Sequence, residues 1–341
     1  MPFKWQDNTS SVPLGPEEFC LRMAELELSP LPKRIGVAVS GGADSMALTL
    51  LAQEWCKAQG MGLVAFTVDH GLRPESAGEA RHVVAWLSGH GVSCEILPWQ
   101  GIKPESRIEE TARAARYALL GEACRKHGIS HLMLAHHAQD QVETVMMRLA
   151  AGSGIDGLAG MARVSMMDGL CLLRPLLDVF PGRLRATCRA HGQAWIEDPM
   201  NSCTDFARVR LRKSLSALAR EGLTPIRVLR LAMRSARMGE AVASMASGAW
   251  EDVAESVGEE VVLDFGRLMA LPEEIRLRVV QRGLLAVHPA APLRQHRLEA
   301  LMASLSGASF RKRTLAGCIV VLRKGKLLIR DEKLASAGMA G

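Results

Sequence analysis

The sequence predicts an α/β fold, a parallel sheet covered by helices on both faces, followed by a smaller and mainly helical domain. Three observations carry this. Short apolar runs rich in β-branched residues recur through the first half of the chain, helix-length periodic segments separate them, and the alternation stops after about Lys213.

The runs are IGVAV (35–39), LVAFTV (63–68), VSCEIL (92–97), HLMLA (131–135) and LCLL (170–173). They are too short for helices and too apolar for a sheet with one wet face, so they read as strands buried on both sides. Helices are expected over Ser45 to Gln59, Ala77 to Gly89, Ile108 to His127 and Gln139 to Ala151, each with a glycine near its end or an acidic or hydroxyl residue near its start. Residues 214–305 read as helical, broken by proline and glycine near 222–225, 272 and 289–292. FRKRTLAGCIVVLRKGKLLIR (310–330) reads as short strands around a Lys-Gly turn. The expected division is an extension with a first helix over 1–30, a Rossmann-like domain over 31–214, and a mainly helical domain over 215–335.

At 341 residues and 48% hydrophobic the chain can bury a full core. It begins without a basic-then-apolar signal pattern and contains no uninterrupted apolar run of about 20 residues, so a cytoplasmic location and no membrane are expected. The eight cysteines are widely spaced and form no C-x-x-C pair, so they read as reduced and mostly buried. From Phe206 to Met238 nine Lys/Arg stand against the single Glu221. That concentration points to an anionic partner, nucleic acid first, with a solvated helix face as the plain alternative.

The chemistry gathers in GVAVSGGADSMALTLL (36–51). Gly41 and Gly42 follow a strand and open a helix, so their amides and the positive end of the helix dipole form an anion cradle. Ser40 and Ser45 add hydroxyls, and Asp44 suits Mg²⁺ or loop ordering better than direct contact with phosphate. A Walker loop would end in Gly-Lys-Ser/Thr, and no lysine is present. VDHGLRPES (68–76) brings Asp69, His70 and Arg73 to the carboxyl end of the second strand, where ligands of open α/β sheets collect. In AHHAQDQVET (135–144), His136, Asp140 and Glu143 at i, i+4 and i+7 share one helix face. Zinc lacks an H-E-x-x-H order there, and Asp140 is instead a candidate for Mg²⁺. GSGIDG (152–157) matches G-x-G-x-x-G but follows a helix, which fails the dinucleotide context and leaves a flexible, substrate-contacting loop.

SGGADS resembles the pyrophosphatase-type loop, or PP-loop, of the N-type enzymes that cleave ATP between its α and β phosphates. VDHGLR (68–73), EETARAARY (109–117), AHHAQDQVET, GSGIDGLAGM (152–161), RPLL (174–177), WIEDPMN (195–201) and FARVRLR (206–212) together are similar to the tRNA(Ile)-lysidine synthetase family, in order through about two thirds of the chain. The resemblance implies a ligase. The O2 oxygen of the wobble cytidine in a CAU anticodon attacks the α-phosphate of ATP, pyrophosphate leaves, and the amine of free L-lysine displaces AMP from carbon 2. The modified base then reads AUA in place of AUG.

On that basis Ser40, Gly41, Gly42, Ala43, Asp44 and Ser45 are expected to hold ATP and the departing pyrophosphate, with Asp69 and His70 beside the nucleoside. Asp44 and Asp140 are expected on Mg²⁺, and His136 with Arg113 and Arg116 on the phosphates, the base or the lysine carboxylate. Gln139 stands where an aspartate is usual, and Val209 where an asparagine is usual, which weakens a two-carboxylate metal site and alters one expected contact. For tRNA the expected contacts are Arg208, Arg210 and Arg212, then Arg227, Arg230, Arg234 and Arg237, whose spacing puts them within an arc of roughly 80° on a helix. Arg311, Lys312, Arg313, Arg323, Lys324 and Lys326 form a second basic cluster, and Trp195 reads as a base-stacking residue or, more simply, a core one. The family's habit makes a homodimer an option. The rival readings are a tRNA thiolase sharing the loop, a synthetase adenylating a small substrate, and a non-catalytic RNA-binding protein.

Overall fold

The computed structural model describes residues 12–101, 103, 108–197, 207–256, 260–289, 293–305, 310 and 312–332. Residues 198–201 and 206 of the motifs quoted above and Arg311 lie outside these, as do the side chains of Glu109, Arg208 and Val209. The chain divides into two compact units, 1–235 and 236–341.

The first unit runs α1 (Pro16–Ala24), β1 (Arg34–Ala38), α2 (Ala43–Ala58), β2 (Gly62–Asp69), α3 (Ser76–Gly89), β3 (Ser93–Pro98), α4 (Ile108–Lys126), β4 (His131–Met133), α5 (Ala138–Ala150), α6 (Ile155–Leu158), β5 (Val164–Met167), β6 (Leu170–Leu173), α7 (Pro181–Ala190) and α8 (Ala207–Arg220), and ends within α9 (Pro225–Val253). All five expected strands are present. The sheet order is β3-β2-β1-β4-β6-β5, parallel except for the β5–β6 hairpin. Side chains alternate between its faces: Ile35, Val37 and Met133 enter a core with α1, α2, α3 and α7, while Phe66, Leu132 and Leu172 enter a second core with α4. Gly36 lets the strands close up, since a Cβ there would stand 3.0 Å from Leu132 and 3.1 Å from Phe66.

β5 escaped the sequence reading because VSMM is half exposed and lacks an apolar run. Its signal was the turn: Asp168 and Gly169 both have positive φ (48° and 79°), as a two-residue hairpin of Asp-Gly type requires.

The second unit contains the rest of α9, β7 (Ala254–Ser256), β8 (Glu260–Asp264), α10 (Phe265–Ala270), α11 (Glu273–Val287), α12 (Gln295–Leu305), β9 (Lys312–Leu315), β10 (Cys318–Arg323) and β11 (Lys326–Asp331). Its antiparallel sheet has the order β7-β8-β11-β10-β9. The helical reading of 214–305 is therefore interrupted by two strands. β8 pairs with β11 from Lys326↔Asp264 to Arg330↔Glu260, a partner some 60 residues away that local periodicity does not reveal. The Lys-Gly turn is as expected, with Lys324 and Gly325 at φ 49° and 74°.

α1 is fastened to the first unit by charge. Arg183 donates to Glu18 at 2.7 and 2.8 Å, and Arg22 to Glu18 at 2.8 Å and to Asp178. Burial alone would raise the Glu18 carboxyl, but the hydrogen bonds from Arg183 and Arg22 outweigh it and hold it at about 2. A depressed folded pKa gives stability that is complete above pH 4.5 and disappears as pH falls toward 2. Acid unfolding of the Glu18→Gln variant, followed by circular dichroism, is expected to show lower stability at pH 7 and a weaker pH dependence across that window.

Candidate active site

The order of the first sheet reverses between β1 and β4, and the segments leaving the carboxyl ends of these two strands meet at that switch point, where Asp44 faces His137. After β1, Gly41 takes φ +85°, and a Cβ there would lie 2.7 Å from Ile196 and 2.8 Å from Val83. The Ile196 amide donates to its carbonyl at 2.9 Å, tying the WIEDPMN segment to the loop. Gly42 is the N-cap of α2 and offers no capping side chain, so the first-turn amides stay available to an anion. Ser45 is buried: its hydroxyl donates to the Gly42 carbonyl at 2.9 Å and accepts the Ser40 amide at 3.1 Å. Ser45 therefore shapes the loop, and the backbone amides with the exposed Ser40 hydroxyl are the donors left for phosphate. Gly41→Ala is expected to cost about 1–3 kcal/mol through its φ alone, with the clash added, and to be read as a lowered Tm together with weaker ATP binding.

Asp44, in the first turn of α2, places Oδ2 3.3 Å from His137 Nε2, while its Oδ1 is buried without a partner. His137 is 8% exposed and is the N-cap of α5. Its Nδ1 accepts from the Asp140 amide at 3.4 Å, and its own amide donates to Asp140 Oδ2 at 3.0 Å, closing a capping box. Burial lowers the affinity of His137 for a proton, yet the Asp44 hydrogen bond and the charges of Asp140, Asp44 and Glu143 outweigh it and raise its pKa.

The expected single face of His136, Asp140 and Glu143 is not formed. The helix begins only at Ala138, so His136 precedes it and only Asp140 and Glu143 lie on it. His136 sits instead among cations. Burial, together with the charges of Arg174, Arg113 and Arg116, lowers its pKa to about 4 against the opposing pull of Asp140. Arg113 and Arg116 stack on the Tyr117 ring at 5.1 and 5.7 Å, and Arg113 reaches the Tyr117 hydroxyl at 3.5 Å. Buried Arg174 donates to the Ala162 carbonyl and the Ser165 hydroxyl, both at 2.9 Å.

In the second loop Asp69 accepts from the Gly71 amide at 3.1 Å and the Ser76 hydroxyl at 2.5 Å. His70 accepts from the Leu72 amide at 3.0 Å, so both side chains hold the loop's form. The 152–161 loop is hydrogen-bonded to α5: Gln141 bonds Met161 at 2.7 and 2.9 Å, and Arg148 bonds the carbonyls of Gly157 and Gly160.

On α8, Arg210 is exposed, and Arg212 donates at 2.8 Å to Glu143, which is wholly buried. Arg227, Arg230, Arg234 and Arg237 are all exposed along α9. The first three, with Leu231, line an open cleft of about 230 Å³. Trp195 is half-buried against the first core and donates to Glu197 at 2.8 Å, which fits its plainer reading. Lys312, Arg313, Arg323 and Lys324 lie on or beside β9 and β10, while Lys326 is paired with Glu255 and Asp264.

Mg²⁺ takes oxygen ligands and commonly completes its shell with substrate phosphates and water. The partnerless Oδ1 of Asp44 beside an uncapped helix start fits that requirement. Asp140 fits less well, because Oδ2 is committed to the capping box. Sequence reasoning missed His137, Tyr117 and Arg174. The first was hidden behind its neighbour His136, and the other two are joined only by the fold.

Fold and loop together define a nucleotide-binding PP-loop protein, and a model of the PP-loop domain family matches residues 18–219. Proteins called tRNA(Ile)-lysidine synthase are similar to nearly the whole chain. One from Bradyrhizobium sp. is 43% identical, covering 86% of this chain and 88% of the relative, and one from Methylobacterium nodulans is 40% identical, covering 96% and 98%. The chain belongs to the tRNA(Ile)-lysidine synthase family. Among solved structures it is similar to the U34-tRNA thiolase NcsA from Methanococcus maripaludis with its [4Fe-4S] cluster, with a TM-score of 0.53 over 64% of this chain and 78% of that one. At 16% identity this likeness concerns the fold alone.

Proposed function

We propose that this chain is the ligase that joins free L-lysine to carbon 2 of the wobble cytidine of tRNA(Ile) with a CAU anticodon, consuming ATP and releasing AMP and pyrophosphate. The observation that carries this reading is the uncapped start of α2, with Asp44 inside it and the His136 and arginine cluster entering from β4 and α4.

The α2 amides bind the β and γ phosphates and hold the leaving pyrophosphate without a lysine. Asp44 would hold Mg²⁺, which would supply neutralisation of the charge on the triphosphate. Arg113 and Arg116 steady the α-phosphate or the lysine carboxylate, with Tyr117 fixing their planes. Attack by O2 of the cytidine breaks the α–β anhydride. The lysine amine then adds at carbon 2, loses a proton and expels AMP. Burial and the neighbouring arginines hold the His136 imidazole below its usual range, and we assign it the part of accepting a hydrogen bond that orients the amine. Arg210, Arg227, Arg230, Arg234 and Arg237 hold the tRNA backbone, and Arg208 belongs to the same segment. A cytoplasmic enzyme, acting as a homodimer, completes the proposal; among the described residues no helix is long and apolar enough to cross a membrane.

Among the described residues the thiolase reading finds little support in the cysteines other than Cys20, which is exposed. Cys56, Cys124, Cys171, Cys188 and Cys318 are buried, and burial pushes the Cys56 and Cys94 thiols up to about 12. Such thiols are poor sulfur carriers at neutral pH. The test is AMP release from ATP with a CAU transcript and with one carrying U at the wobble position. AMP formed only with the first supports cytidine activation, and equal AMP with both contradicts it.

A further inference from the structure

The structure assigns His137 a positioning role in this reaction: its imidazole braces Asp44 so that the carboxylate presents Oδ1 to the metal–nucleotide complex. The inference rests on the reading of Asp44 as the Mg²⁺ ligand.

Four observations lead to it. Asp44 Oδ2 has His137 Nε2 at 3.3 Å, while Oδ1 of the same carboxylate is buried and has no hydrogen-bond partner. A carboxylate held at one oxygen by a ring nitrogen has its other oxygen aimed by that contact. The ring is itself fixed, because it is 8% exposed and its Nδ1 accepts from the Asp140 amide. Finally, His137 is the N-cap of α5, which leaves β4, whereas Asp44 is on α2, which leaves β1, so the contact spans the two strands at the switch point. Groups that orient a metal ligand from behind typically carry about 10–100-fold of metal affinity or activity.

His137 does two separable things, capping α5 through Nδ1 and bracing Asp44 through Nε2. Two substitutions divide them. Asparagine keeps an oxygen at the capping position, where it is a favoured residue, but is too short to reach Asp44. Glutamine extends a nitrogen about as far as Nε2 and gives up the cap. The probe is α,β-methylene-ATP, which the enzyme cannot cleave at the reacting bond, titrated calorimetrically at stepped Mg²⁺ concentrations. Thermal melts of each variant check folding.

With His137→Asn the Mg²⁺ concentration for half-maximal nucleotide affinity is expected to rise about tenfold or more, and with His137→Gln to stay within about twofold of wild type. The opposite order, Asn like wild type and Gln impaired, overturns the proposal and leaves His137 a helix cap. Wild-type values from both variants overturn it as well. The underlying reading fails differently: Asp44→Ala would then bind the probe with unchanged Mg²⁺ dependence, and the brace would fall with it.

Discussion

Replacing Asp44 by alanine is expected to lower kcat/KM for tRNA-dependent AMP release by at least about 10²–10³-fold, the usual effect of removing one preorganised charge-stabilising group from a reacting centre. The expectation follows from how the carboxylate is held. One oxygen is spent on His137, and the other is buried without a partner in the first turn of a helix that has no side-chain cap. A buried, unsatisfied carboxylate oxygen is costly unless a ligand completes it. Removal therefore should not greatly destabilise the free protein, and a Tm close to wild type alongside the lost activity is part of the prediction. Asp44→Asn, which keeps the shape and loses the charge, should fall nearly as far. A loss of only a few fold in both variants would remove Asp44 from the chemistry.

The second large effect is expected on RNA affinity. Changing Arg227, Arg230, Arg234 and Arg237 together to glutamine removes a row of exposed charges along α9. Four phosphate contacts account for about a hundredfold of affinity between 50 and 200 mM salt, so the slope of log K on log salt should become shallower by about 3 to 4. Arg227 also donates to the Gly222 carbonyl at 2.7 Å, so part of its effect will be on the α8–α9 turn. At saturating tRNA the rate of AMP release should be little changed if, as proposed, these residues hold the substrate backbone and not the reacting atoms. Filter binding over a salt series measures the first quantity and single-turnover kinetics the second. An unchanged slope would return this helix to the plain reading of a solvated surface.

The parts of the molecule that were legible in the sequence are those governed by local pattern. The strands at 35–39, 63–68, 92–97, 131–135 and 170–173 announce themselves because burial on both faces demands continuous apolar runs. The loop after the first could be read as an anion cradle because its glycines fall between strand and helix. β5 and β8 were not legible as strands, since each owes its pairing to a partner and not to its own periodicity. The site shows the same divide. Asp44 stands out from its motif, but its contact with His137 depends on where α5 starts, a boundary set by one capping box. Arg174 meets Tyr117 and lends its charge to His136, joining residues from α4 and from the segments after β6 and β4, which no spacing rule connects. Ser45, by contrast, was read for the right loop, but its hydroxyl is consumed within it.

The most direct measurement is incorporation of radiolabelled L-lysine into a CAU-anticodon isoleucine tRNA transcript in the presence of ATP and Mg²⁺, with Asp44→Ala and a transcript altered at the wobble base in parallel. The predicted result is label in the unaltered tRNA with wild-type protein alone, recovered after nuclease digestion as a single modified nucleoside. Absence of label from well-folded wild-type protein that still releases AMP and pyrophosphate in the presence of that tRNA would contradict the assignment of lysine as the acceptor's partner, while leaving the adenylating site in place.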